Sequence, residues 1–236
     1  MNLYCVKEGD IDMKKYIVGL IVFLFMINLV ACSDDNTEGE KENQSVEVTE
    51  EEKLPADEVV VVVNGEEVTG KTYNLVYTQE KLYKSQFEED IDLDDIKEST
   101  INLIIDRQIL FQEAKKEGIE ITEEQASKEL ERIKEESPET LEILLAQFQI
   151  TEEDFKDQLI YELTMFEYMD KVIEVSVSEE ELEEYYKKAK EGNENIPEYD
   201  EIKHSLRSQL TELKTQEALQ AKIDEARENA KIDKKI

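Results

Sequence analysis

Cysteine is nearly missing from this chain, and so are the residues that break helices. The 236 residues hold two cysteines, Cys5 and Cys32, both within the first 32 positions. The remainder can form no internal disulfide and no cysteine-ligated metal site. A single histidine, His204, excludes histidine-cluster zinc chemistry. There is no tryptophan, and only 7 glycines and 3 prolines punctuate the backbone. No phosphate-binding glycine loop, G-x-S-x-G elbow or H-E-x-x-H pair occurs. Positive charge is scarce too: 28 Lys and Arg stand against 60 Asp and Glu, a net charge of −32. A polyanion of this kind does not bind nucleic acid by neutralising phosphates, and its own surface does not favour an anionic membrane. Acidic excess keeps a protein soluble and attracts cations or basic partners. What remains abundant is Glu, Lys, Leu and Ile, which predicts a mostly α fold.

The front of the chain has the pattern of an address. From Met13 it reads MKKYIVGLIVFLFMINLVAC. Lys14 and Lys15 make a basic start, and residues 16–29 an apolar stretch short for a spanning helix. Leu29-Val30-Ala31-Cys32 then resembles the bacterial lipobox, which implies a lipidated Cys32 as the first residue of the mature protein. A two-chain lipid there holds a protein stably at a membrane. Residues 1–12 are too polar to extend the leader, so translation is expected to start at Met13. Residues 33–58 carry eleven acidic residues against Lys41 and Lys53. They are expected to be a disordered, self-repelling tether.

Residues 59–236 are expected to fold as one domain. Five valines end at Asn64-Gly65, a tight-turn signal, followed by a second short extended piece. Helical rhythm then dominates. Helices are expected over residues 71–87, over 94–117 with a stop at Gly118, and from Thr122 to about Ser137-Pro138. Further helices are expected over 140–148, from Thr151 through FKDQLIYELTMFEYMDKVI, from Ser178 to Gly192, and over 199–229. The pairs Thr122/Gln125 and Ser178/Glu181 have capping-box spacing. Between the helix that starts at Thr151 and the one that starts at Ser178, IEVSV looks briefly β-like. The final helix, about 45 Å at 1.5 Å per residue, should project as an arm or rim. Asp90, Asp92 and Asp94 mimic the start of a calcium loop. Asp95 stands where that loop needs glycine and Ile101 where it needs glutamate, so a helix N-terminal charge cluster is the better reading.

Three stretches, VVVVNGEEVT, LIIDRQILFQEAKKEGIEITEEQ and VSVSEEELEEYYKK, resemble the N-terminal chaperone module of the SurA/PrsA foldase family. LKTQEALQAKIDEARENAKIDKKI resembles that family's closing helix and final strand. The resemblance implies an α-helical cradle for unfolded extracytoplasmic chains, with a small β element joining its ends. In PrsA-like proteins a parvulin-type prolyl isomerase domain follows the EEELEEYY helix. Here only KKAKEGNENIPEYD separates that helix from the closing one, so no isomerase domain is expected at that point. Parvulin sites resemble one another in using paired histidines, and His204 stands alone on the closing helix, expected to be merely exposed.

No catalytic residue, cofactor or metal is therefore expected. Client contacts are expected from apolar, adaptable side chains that water still reaches. Tyr161, Met165, Phe166, Tyr168 and Met169 go most of the way round one helix. Tyr73 and Tyr77, continued by Tyr83 and Phe87, mark a second stripe. For both groups the competing reading is plain core. The expected role is a lipid-anchored chaperone or holdase on the outer face of a Gram-positive-type cell membrane. The alternatives are a prolyl isomerase by a non-parvulin route, or an adaptor for one envelope partner. Replacing Cys32 by Ser should move the protein from the membrane fraction into the medium; an unchanged membrane fraction in a fractionation blot would refute the anchor.

Overall fold

Val59–Val63 form strand β1, as a β-branched run should. Asn64 and Gly65 both adopt positive φ, 54° and 89°, and turn the chain tightly into β2, Glu66–Thr69. The last strand, β3 at Ile232–Lys234, lies on the other side of β1. The sheet order is β2-β1-β3, antiparallel throughout. The start and end of the domain are thus zipped together. This is a computed structural model that describes residues 48–87, 91–192 and 196–236. The leader, Cys32 and residues 33–47 of the expected tether lie outside the described residues.

Seven helices follow among the described residues: α1 Gly70–Lys84, α2 Leu93–Lys116, α3 Glu123–Glu136, α4 Pro138–Phe148, α5 Glu152–Val172, α6 Glu179–Gly192 and α7 Tyr199–Glu228. Local chemistry sets their starts. Asp92 accepts from the Asp94 N–H at 2.9 Å, so its carboxylate caps α2. Thr122 with Gln125 and Thr151 with Asp154 close reciprocal capping boxes on α3 and α5. Ser178 and Glu181 do the same for α6, at 3.2 and 2.8 Å. Gly118, at φ 74°, ends α2, and the Ile119 N–H reaches back to the Ala114 carbonyl at 2.9 Å. Pro138 stands at the first turn of α4, where its missing N–H costs nothing.

Four apolar clusters hold these parts. The first joins the sheet valines to Tyr73, Val76 and Tyr77 of α1 and Ile96, Ile104, Ile105 and Ile109 of α2. The second packs α3, α4 and the first half of α5 around Leu130, Leu144, Phe155 and Leu159. The third ties α2, α5 and α7 together through Leu110, Ile119, Met165, Tyr168 and Ile223. The fourth belongs to α6 and α7 alone, with Leu182, Leu206 and Leu210 at its centre. The α6–α7 hairpin is therefore an arm with its own small core, and α7 is the long closing helix anticipated above.

A polar joint fixes where the two chain ends meet. The Gln112 side chain, buried on α2, donates to the Val63 carbonyl at 2.9 Å and accepts from Asn64 Nδ2 at 2.8 Å. Asn64 Oδ1 in turn accepts from the Lys231 N–H at 2.8 Å. Arg227 binds Asp106 and Asn102 of α2, securing the end of α7.

The structure corrects three expectations. Residues 48–58 are not part of a free tether: Val48 is buried in the first cluster, and the Asn74 side chain bonds both the N–H and the carbonyl of Leu54, at 2.8 and 2.9 Å. IEVSV forms no strand and pairs with none of the three strands. Instead Arg207 and Lys214 of α7 grip the Val177 and Ser176 carbonyls, both at 2.6 Å. Helix α1 stops at Lys84, three residues before Phe87. Replacing Gln112 by Leu should strand the Asn64 amide and a buried carbonyl, lowering unfolding free energy by about 2 kcal/mol in urea titration.

Candidate functional site

The described residues 48–58 act as a strap across α1. Glu52 is largely buried and pairs with Lys81 at 2.6 and 2.9 Å, while the Tyr77 hydroxyl donates to it at 2.9 Å. Burial alone raises the Glu52 carboxyl. The Lys81 ammonium, the Thr49 N–H and hydroxyl and the Tyr77 hydroxyl outweigh it and hold the group at about 2. Gly70 lies directly under the strap. A Cβ there would sit 2.1 Å from the Pro55 carbonyl oxygen, so no side chain fits.

The strap is one wall of an open cleft of about 600 Å³. Its other walls come from β2, α1, α2 and the α4–α5 junction. Apolar lining is supplied by Leu75, Ile104, Phe111, Phe148, Ile150, Ile160 and Tyr161. Polar groups cross it at a few points. Lys71 of α1 bonds Asp154 and Asp157 of α5 at 3.1 and 2.6 Å, and Lys53 of the strap donates to Gln149 at 3.2 Å. Arg107 of α2 lies over the Tyr161 ring, 5.3 Å from its centroid. The size and the mix of apolar wall with a few polar groups suit an organic ligand or a short extended segment. A second hollow, about 720 Å³, lies between α2, α5 and α7. Glu113, Lys115, Lys116, Glu117, Lys222 and Glu225 line it, a charged setting that does not favour apolar chain.

Of the side chains expected to contact clients, the structure brings Tyr161 to the cleft. Tyr73 and Tyr77 are sealed in the first cluster, stacked with centroids 5.6 Å apart. Burial pushes the Tyr73 hydroxyl up to about 12, with Glu52 adding to the shift. Met165 and Tyr168 are buried in the third cluster. These four are core, a correction to the expectation. Helix α5 has neighbours on two sides, so most of its apolar girth is consumed by packing. Phe166 and Met169 are half-buried and lie outside both hollows. The α1 stripe splits: Tyr83 and Phe87 stay 58% and 70% exposed and pack against each other at 5.2 Å. His204 is exposed. Among the described residues no group of three His, Cys, Asp or Glu side chains could hold a metal, and no helix is long and apolar enough to cross a membrane.

Sequence reasoning missed Leu75, Arg107, Phe111 and Phe148 as parts of the site. The one available signal was Arg107, a lone cation inside the apolar run LIIDRQILF, with Phe111 one turn later.

The site is thus a solvated, partly apolar cleft in a helical body whose two ends are joined by a small sheet. The sequence model of the SurA-like N-terminal domain matches residues 11–169. The chain belongs to the SurA/PrsA family, in its SurA-like N-terminal domain type. It is also similar to a protein of Caldanaerobacter subterraneus subsp. tengcongensis named foldase protein PrsA. The two are 25% identical over 195 residues, covering 77% of this chain and 54% of the relative. The chain thus spans about half the length of that curated relative.

Acid should loosen the strap before the rest of the domain. Because the Glu52 carboxyl is depressed when folded, its stabilisation is complete above about pH 4.5 and is lost as pH falls towards 2. Roughly 1–2 kcal/mol is at stake after allowing for solvent. Glu52→Gln should flatten the stability-against-pH curve in that window; an unchanged acid limb in a urea–pH series would contradict this.

Proposed function

We propose that this chain is a lipid-anchored extracytoplasmic holdase that shields unfolded secreted polypeptides by binding them without covalent chemistry. The observation that carries the reading is the cleft walled by the strap, β2, α1, α2 and the α4–α5 junction. Part of its apolar wall is half-buried, held in place yet reachable by water and by a ligand. Leu75, Phe111, Ile160 and Tyr161 are half-buried in this sense. Apolar groups in such a site gain free energy when an apolar segment displaces water from them.

The net charge of −32 supports the same role. It keeps a complex with an aggregation-prone client dispersed, and it favours basic over acidic clients. A lipid on Cys32 and the acidic residues after it place the cleft near the membrane surface across which clients emerge. The family relationship supports the chaperone assignment. The short α6–α7 connection speaks against a parvulin-type insert at that point.

The full chain should suppress aggregation of a reduced, unfolded test protein at near-stoichiometric ratio, with proline isomerisation near background. Phe111→Ser and Ile160→Ser should each raise the half-effective concentration roughly five- to tenfold, about 1 kcal/mol of lost apolar contact. Leu213→Ser on the far arm should leave it unchanged. Catalysed isomerisation would favour the enzyme reading. A single stoichiometric partner in pull-downs, without aggregation suppression, would favour an adaptor.

A further inference from the structure

Arg107 is the odd residue in the cleft. Acids outnumber bases 60 to 28 in this chain, and most cations among the described residues sit in ion pairs. The Arg107 guanidinium does not. It donates to Gln79 Oε1 at 3.0 Å and lies over the Tyr161 ring. No carboxylate among the described residues is ion-paired with it. The nearby acids are engaged elsewhere. Asp106, its neighbour in sequence, holds Arg227. Asp154 and Asp157 hold Lys71. Glu162 is close enough for the Arg107 charge to act on it, but its carboxylate accepts from Gln158 Nε2 at 2.5 Å. Burial pushes that carboxyl towards its neutral form, which weakens its claim on the guanidinium.

A guanidinium carries five N–H donors in a planar fork that matches a carboxylate. Here it shares a cleft wall with Phe111, Phe148, Ile160 and Tyr161. We propose that Arg107 recognises the C-terminal carboxylate of an unfolded polypeptide, whose last apolar side chains lie along those four residues. The proposal rests on the holdase reading of the same cleft. Charge selects the ligand. A protein at −32 repels phosphorylated or acid-rich segments, whereas one carboxylate on an apolar tail is tolerated. A terminal carboxylate is also the anion that every polypeptide carries whatever its composition, which suits a site serving many clients.

The test is fluorescence anisotropy with the full chain in detergent. The probes are one fluorescein-labelled apolar decapeptide as its free acid, the same peptide as its C-terminal amide, and an amidated version with one internal Glu. The free acid should bind about tenfold tighter than the amide, the effect of one charge-assisted bidentate contact, and the preference should shrink with salt. Arg107→Gln should abolish the preference, and Arg107→Lys should retain part of it. Equal binding of acid and amide by the unaltered protein overturns the proposal, and that comparison needs no variant. Full rescue by the internal Glu reassigns Arg107 to side-chain carboxylates and overturns the terminal assignment. If no peptide binds at all, the holdase reading of the cleft falls first.

Discussion

The pairing of β1 on both edges is the constraint from which the rest of the architecture follows. One edge is taken by β2, its own hairpin partner, and the other by β3 from the far end of the chain. Pairing β1 with β3 closes a loop of more than 160 residues, an entropic cost that rises only slowly with loop length. The return comes from buried valines, from the Asn64–Gln112–Lys231 joint and from the Arg227 contacts on α2. Once the ends are joined, α7 must run back along α2, and α5 is held between α2 and α3. The cleft is the space left where α1, α2, β2 and the α4–α5 junction do not meet.

That arrangement resolves a conflict between folding and binding. A binding cleft needs apolar surface that water reaches, and exposed apolar surface favours aggregation. Here Ile104 and Phe148 of the wall are buried and Leu75, Phe111, Ile150, Ile160 and Tyr161 are half-buried, so little apolar area faces solvent. The cleft walls are anchored to the core from behind by Tyr73, Tyr77, Phe155 and Leu159, which are fully enclosed. The strap adds a boundary with different physics. It is held by the Glu52–Lys81 ion pair, two hydrogen bonds with the Asn74 side chain, the buried Val48 and the absence of a side chain at Gly70. Its Glu52 carboxylate makes it the part of the cleft that responds to acid.

Much of the scaffold was legible from local signals. The Asn64-Gly65 turn, the Gly118 stop and the capping pairs at Thr122 and Ser178 act within a few residues of themselves, so short-range chemistry located them. IEVSV misled because β-like composition does not supply a partner edge. Residues 48–58 misled because eleven acids between residues 33 and 58 describe an average, whereas Val48, Glu52 and Leu54 each find an individual partner on the folded domain. Among the expected client-contacting residues, apolar periodicity could identify what is buried or bindable, but not which of the two.

The amino-acid order by itself determined the helical class, the hairpin, the length of the closing helix and the family, because these depend on periodicity, turn chemistry and contiguous motifs. Only the tertiary structure decided that Tyr73, Tyr77, Met165 and Tyr168 are core while Leu75, Phe111, Ile160 and Tyr161 line an open cleft, and that Arg107 faces it with no ion pair among the described residues. The physical reason is that exposure belongs to the gap between packed elements, and a gap is defined by residues far apart in sequence.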